Sequence, residues 1–151
     1  MKILAIDPGP TESAWMRMHD GRPAFWAKEP NEDVLQRVRE NKATCDCLVI
    51  EKIESFGMAV GAEVFETVFW SGRFAQAWGI EFDRIGRKDV KLQLCRSVRA
   101  NDANIRQALI DLFGGKEKAI GKKKTPGPLY GISGDVWSAL AVAVTWNDKN
   151  R

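Results

Sequence analysis

A single histidine, His19, and only three cysteines restrict what this chain can do with nucleophiles and soft metals. A Ser-His-Asp or Cys-His nucleophile system would rest on His19 alone, in an early strand or hairpin. A zinc site would lack its usual His and Cys ligands. Cys45 and Cys47 stand one residue apart in a strand-like segment, and Cys95 makes the number odd, so no disulfide framework is expected. No apolar run approaches the roughly 18–20 residues of a membrane span. The N-terminus also lacks the basic region, longer apolar stretch and cleavage site of an export signal. A reducing cytoplasm, with no membrane partner, is the expected setting.

Carboxylates, by contrast, are plentiful: 20 Asp and Glu side chains, which suit hard cations such as Mg²⁺ or Mn²⁺. With 151 residues, 44% apolar and 28% charged, residues 1–151 are expected to form one globular domain with a proper core. The net charge is only +3, but it is unevenly placed. Between Arg84 and Arg99, six basic residues (Arg84, Arg87, Lys88, Lys91, Arg96, Arg99) face one acid, Asp89. Between Gly114 and Pro128, Lys116, Lys118, Lys122, Lys123 and Lys124 face Glu117. The remainder of the chain is therefore acidic, a division that suits a polyanionic partner better than it suits solubility.

Read in order, Met1 to Ile6 is a buried strand, stopped at once by Asp7-Pro8-Gly9-Pro10. Thr11 to Met18 and Arg22 to Ala27 flank His19-Asp20-Gly21, a hairpin signal, so the first three strands predict an antiparallel meander. Asn31 is placed to cap a helix running to about Asn41. Cys45 to Ile53 predicts a second buried strand, Ala62 to Trp78 a helix ended by Gly79, and Ile80 to Ile85 a short strand. A helix over Asp102 to Phe113 follows, then the lysine-rich segment KEKAIGKKKTPGP as an exposed loop. Ser133 to Trp146 predicts a final apolar helix with Ser133 as its N-cap. The order β-β-β-α-β-α-β-α-α describes an α/β fold with a mixed sheet.

Three carboxylates interrupt apolar segments: Asp7 in LAID, Glu51 in LVIE and Asp135 in DVWSALAVA. Each has a structural alternative, respectively a turn residue, an exposed strand-end charge and a helix charge favoured by the dipole. If the first and fourth strands run parallel as neighbours, Asp7 and Glu51 reach the same sheet edge, and the last helix can bring Asp135 to them. Three like charges so placed repel, and one takes up a proton unless divalent cations sit between them. Two such ions, about 4 Å apart, can activate water and stabilise the leaving oxygen of a phosphodiester.

In IDPG (Ile6 to Gly9), LVIEKIESFGMAVG (Leu48 to Gly61), the basic segment from Asp89 to Arg106 and GDVWSALAVAV (Gly134 to Val144), the chain resembles the RuvC-type Holliday junction resolvases of the ribonuclease H-like superfamily, particularly phage and prophage relatives. The resemblance implies a mixed five-stranded sheet flanked by helices. It implies a crossover junction endodeoxyribonuclease, a homodimer that hydrolyses phosphodiesters of branched DNA symmetrically with Mg²⁺ or Mn²⁺, two ions per site. Asp7, Glu51 and Asp135 would be its catalytic metal ligands, and Lys91 a basic residue at the catalytic centre. The helix after Glu51 would supply the dimer face, and Phe56, two residues from the matching aromatic, would wedge into bases. Arg73, Lys88, Lys91, Arg99, Arg106, Lys122, Lys123 and Lys124 would contact nucleic acid. Ser138 departs from the family, which often carries a fourth acid there, leaving Glu54, Asp102 or water to compensate. A second basic position is occupied by Asp102, with Arg99 and Arg106 nearby. An RNA-processing nuclease of the same fold, or an inactive junction-binding protein, is the alternative. Actin-like ATPases share the Asp-Gly turn but need two such domains, so no nucleotide cofactor is expected.

Overall fold

The structure, a computed structural model, describes residues 1–150. Its centre is a five-stranded sheet of order β3-β2-β1-β4-β5. Strands β1 (Lys2–Asp7), β2 (Glu12–His19) and β3 (Arg22–Pro30) form the antiparallel meander, and β4 (Cys47–Lys52) and β5 (Asp83–Gly86) add on in parallel. Asp20 and Gly21 between β2 and β3 both hold positive φ, 49° and 82°, which matches the twist of the paired strands. A register shift between Arg17 and Met18 bends the pair.

Strict alternation gives the sheet two apolar faces. Leu4, Ile6, Trp15, Leu48 and Ile50 pack beneath α1 (Asn31–Asn41) and α2 (Ala62–Trp78), where Val34, Leu35, Val38, Phe74 and Trp78 meet them. Ile3, Ala5, Ala14, Met16 and Val49 face the other way, toward α6 (Val136–Lys149). Residues Val136 and Ala139 to Trp146 are all buried, so this helix is enclosed on every side and its all-round apolarity follows. Helix α4 (Asp102–Leu112) covers its flank with Ile105, Leu109 and Ile110. A capping box between Asn101 and Asn104 starts α4, and Gly79 ends α2 at φ 73°.

Four local expectations change. The basic stretch Arg87–Cys95 folds as helix α3, because Val90 seats it against the α6 core. The lysine-rich segment is ordered rather than loose: α5 (Lys116–Ala119) leads into a hairpin of β6 (Gly121–Lys122) and β7 (Thr125–Pro126). Fully buried Ala119 and Leu129 anchor its two ends, and Leu129 N–H donates to Ala119 C=O at 2.8 Å. The last helix is N-capped at Asp135, with Ser133 in the preceding turn. Pro30, not Asn31, holds the N-cap position of α1, and the Asn31 side chain is used elsewhere.

Candidate active site

Register decides which side chains meet. Ile6 pairs with Ile50 across the parallel β1–β4 ladder, so Asp7 and Glu51 follow side by side, with the parity of Ala5 and Val49. Both therefore point to the α6 face, at the C-terminal ends of their strands. Asp135 stands at the start of α6, which lies on that face. The condition posed by the sequence, parallel first and fourth strands, is met.

Glu51 is buried and Asp7 partly so, side by side, and the consequence is electrostatic. Desolvation, then the Glu51 charge and a hydrogen bond in which protonated Asp7 donates to Glu51, push Asp7 up to about 8. Asp135 adds to the repulsion and the Arg87 guanidinium opposes it. Glu51 is also raised by burial, though accepting from Asp7 and facing Arg87 restrain the rise. Two adjacent carboxyls that share a proton, with a third acid near enough to disturb both, fit a hard divalent cation, which would replace the proton. As they stand, no three acidic, His or Cys side chains among the described residues are grouped to hold an ion. Asp135 is turned aside, bonded to Lys28 Nζ at 2.7 Å.

The turn after Asp7 is braced from two directions. Ser13 Oγ accepts from Gly9 N–H at 3.0 Å and donates to Asn31 Oδ1 at 2.6 Å, while Asn31 Nδ2 donates to Gly9 C=O at 3.0 Å. Ser13 and Asn31 are both buried, so the clamp is shielded from water. It ties the peptide after Asp7 to β2 and to the first turn of α1.

A cleft of about 370 Å³ opens beside the carboxylates, with Glu51, Arg87, Asp102, Arg106, Asp135 and Ser138 on its walls. A groove of about 440 Å³ continues from it past Arg106 and Trp137 to Lys116. Asp102 is ion-paired with Arg87, so of the two acids considered as substitutes at the Ser138 position it is Asp102 that reaches the cleft. The Glu54 carboxylate lies against Gly86, whose hypothetical Cβ would stand 2.4 Å from Glu54 Oε1.

No protein-family model and no curated protein sequence matches the chain. The three-dimensional comparison does. The structure superposes on Thermus thermophilus RuvC with a TM-score of 0.67 at 17% identity, covering 96% of this chain and 92% of that one. The fold is that of RuvC. T. thermophilus RuvC in complex with a Holliday junction substrate matches at TM-score 0.63 and 17% identity, over 100% of this chain and 95% of that one. The expected α/β architecture, a mixed five-stranded sheet flanked by helices, is thus both observed and shared with RuvC.

Within this RuvC fold the other sequence-derived candidates are dispersed. Arg87, not Lys91, is the cation on the cleft wall whose charge acts on Asp7 and Glu51; Lys91 lies one turn further along α3 and Lys88 is exposed beside it. Arg106 lines both cleft and groove, while Arg99 lines a shallow surface depression by Cys95. Lys122, Lys123 and Lys124 form the exposed tip of the β6–β7 hairpin. Phe56 is 68% exposed at φ 51° in the loop after β4. Arg73 is not brought to the cleft: its guanidinium stacks on Trp70 at 4.3 Å and pairs with Glu32. His19 lies opposite Lys2, at the far end of β1 from Asp7, and accepts from Arg17. The cysteines are free, and burial pushes the Cys47 thiol up to about 12.

Sequence reasoning missed Lys28, Arg87 and the Ser13–Asn31 clamp. Arg87 was within a recognised basic segment, but its place depended on a helix that the pattern did not reveal. Lys28 is placed by strand register, and Asn31, at the start of α1, meets Ser13 and Gly9 only once the chain is folded.

Proposed function

We propose that this chain is a divalent-cation-dependent, structure-selective endonuclease that resolves four-way DNA junctions. The observation that carries the reading is the buried Asp7–Glu51 pair beside Asp135 on one face of a RuvC fold. A RuvC of that fold holds a Holliday junction substrate, which favours branched DNA as the partner.

Asp7, Glu51 and Asp135 would hold Mg²⁺ or Mn²⁺, two ions per site, with Asp102 as a further carboxylate on the cleft wall. Bound there, the cations supply Lewis acidity toward the phosphodiester and lower the pKa of water. Asp7 and Glu51, which share a proton in the ion-free protein, would be the adjacent carboxylates that hold the cations. Arg87 faces the same cleft, where its charge can stabilise a phosphate as negative charge builds. Arg106 and Lys116 along the groove, and Lys122, Lys123 and Lys124 at the hairpin tip, suit backbone contacts that position duplex arms without reading sequence. Lys88, Lys91 and Arg99 extend the basic surface, whereas Arg73 on α2, stacked on Trp70 and paired with Glu32, stands apart from it; exposed Phe56 suits insertion between unstacked bases. A homodimer would offer two such sites to a roughly twofold junction. Three free cysteines and the chemistry itself suit a reducing cytoplasm.

The test is cleavage of a synthetic four-way DNA junction with Mg²⁺ or Mn²⁺. Asp7→Asn is expected to lower the rate on the order of 10³-fold while junction binding persists, since losing a negative charge does not weaken contact with a polyanion. Cleavage by Asp7→Asn at the wild-type rate would refute the mechanism. Preferential cutting of structured RNA would instead move the substrate assignment within the same fold.

A further inference from the structure

Asp7 pairs with Ala14 across β1–β2, and Ala14 pairs with Lys28 across β2–β3. Lys28, Ala14, Asp7 and Glu51 thus occupy one rung of the sheet on the α6 face. Strands lie about 4.8 Å apart, so Lys28 starts roughly 10 Å from Asp7 with only a methyl group between them. Its flexible stem crosses that gap, and Nζ bonds Asp135 Oδ2 at 2.7 Å. Asp135 occupies the N-cap position of α6, where an aspartate ordinarily accepts from its own helix, yet its side chain makes no capping bond. Its carboxylate is committed to Lys28 instead. The two side chains are 46% and 56% exposed, so the pair is weak enough for a better cation to displace it.

We propose that Lys28 is a built-in counter-ion of the cation-free centre, holding Asp135 aside until a divalent ion displaces the ammonium. This rests on reading Asp7, Glu51 and Asp135 as the cation site. Lys28 is then a positioning residue that acts through Asp135 and sets the ion concentration at which the centre fills.

Mn²⁺ binding to the intact protein without DNA, followed by electron paramagnetic resonance of the free ion, tests this. Lys28→Gln is expected to bind Mn²⁺ about three- to fivefold more tightly than wild type, and Lys28→Arg within twofold of wild type. Lys52→Gln, on the strand residue after Glu51 and thus the opposite sheet face, controls for net charge and is expected to change affinity less than twofold. Thermal melts verify that each variant is folded. Unchanged or weaker binding by Lys28→Gln, or equal tightening by Lys52→Gln, would overturn the role of Lys28 while leaving the cation site intact. No Mn²⁺ binding by any variant or by wild type would overturn the site and this inference together.

Discussion

Asp7 shows how burial turns an ordinary side chain into a chemical one. In water its carboxyl would titrate near 3.8; beside Glu51 and out of solvent it holds its proton to about 8. The sign of the resulting pH dependence follows from proton counting. Between those two values the folded state binds more protons than the unfolded chain, so the stability of the ion-free protein falls as pH rises from about 4 to about 8. Glu51, raised in the same direction, adds to the slope. Melting temperature measured in chelator should therefore drop across that range, and Asp7→Asn should flatten most of the drop. Mn²⁺ should restore the wild-type melting temperature at pH 8 and do little for Asp7→Asn. A melting temperature that climbs steadily from pH 5 to pH 8 in chelator would contradict the buried, shared proton.

At the scale of elements, the site depends on a loop that is gripped rather than merely short. The Ser13–Asn31 clamp fastens the Gly9 peptide to β2 and α1, and with it the direction in which β1 delivers Asp7. Asn31→Ala removes both of its side-chain bonds in a buried setting, at an expected cost of about 1–3 kcal/mol. Chemical denaturation measures that loss, and junction cleavage should fall more than junction binding if the clamp serves Asp7. Gly9 itself has no room for change, since a Cβ there would stand 2.2 Å from the Glu12 carbonyl oxygen. Elsewhere the pattern was informative: α2 was legible from apolar spacing and its terminal glycine, and α6 from its unbroken apolarity. Helix α3 was not, because only Val90 of its nine residues is buried and the charge run concealed a helical period. The α5–hairpin segment was misjudged for the same reason, its lysines outnumbering the two buried residues that anchor it.

For the molecule as a whole, one surface remains to be matched. Phe65, Val68 and Phe69 project from α2 at helical spacing, 67%, 49% and 59% exposed, while the opposite side of that helix packs Phe74 and Trp78 into the core. An exposed apolar stripe of this kind suits a twofold contact between copies. Phe69→Glu is expected to shift the protein from dimer to monomer in sedimentation and leave its melting temperature nearly unchanged. A wild-type protein that sediments as a monomer at high concentration would remove the dimer from the proposed mechanism. No described helix is long and apolar enough to cross a membrane.

Residue types and local periodicity were enough to give an α/β chain, the meander, four of the helices (α1, α2, α4 and α6) and the three carboxylates set in apolar surroundings. Those features depend on neighbours along the chain, where propensity and alternation act directly. The partnership of Lys28 with Asp135, the shared proton of Asp7 and Glu51, the Asn31 clamp and the cleft position of Arg87 and Asp102 came only with folding. Each joins residues on different strands or helices, and a shift of one position in strand register would turn Asp7, Lys28 or Glu51 to the opposite face, away from its helical partners.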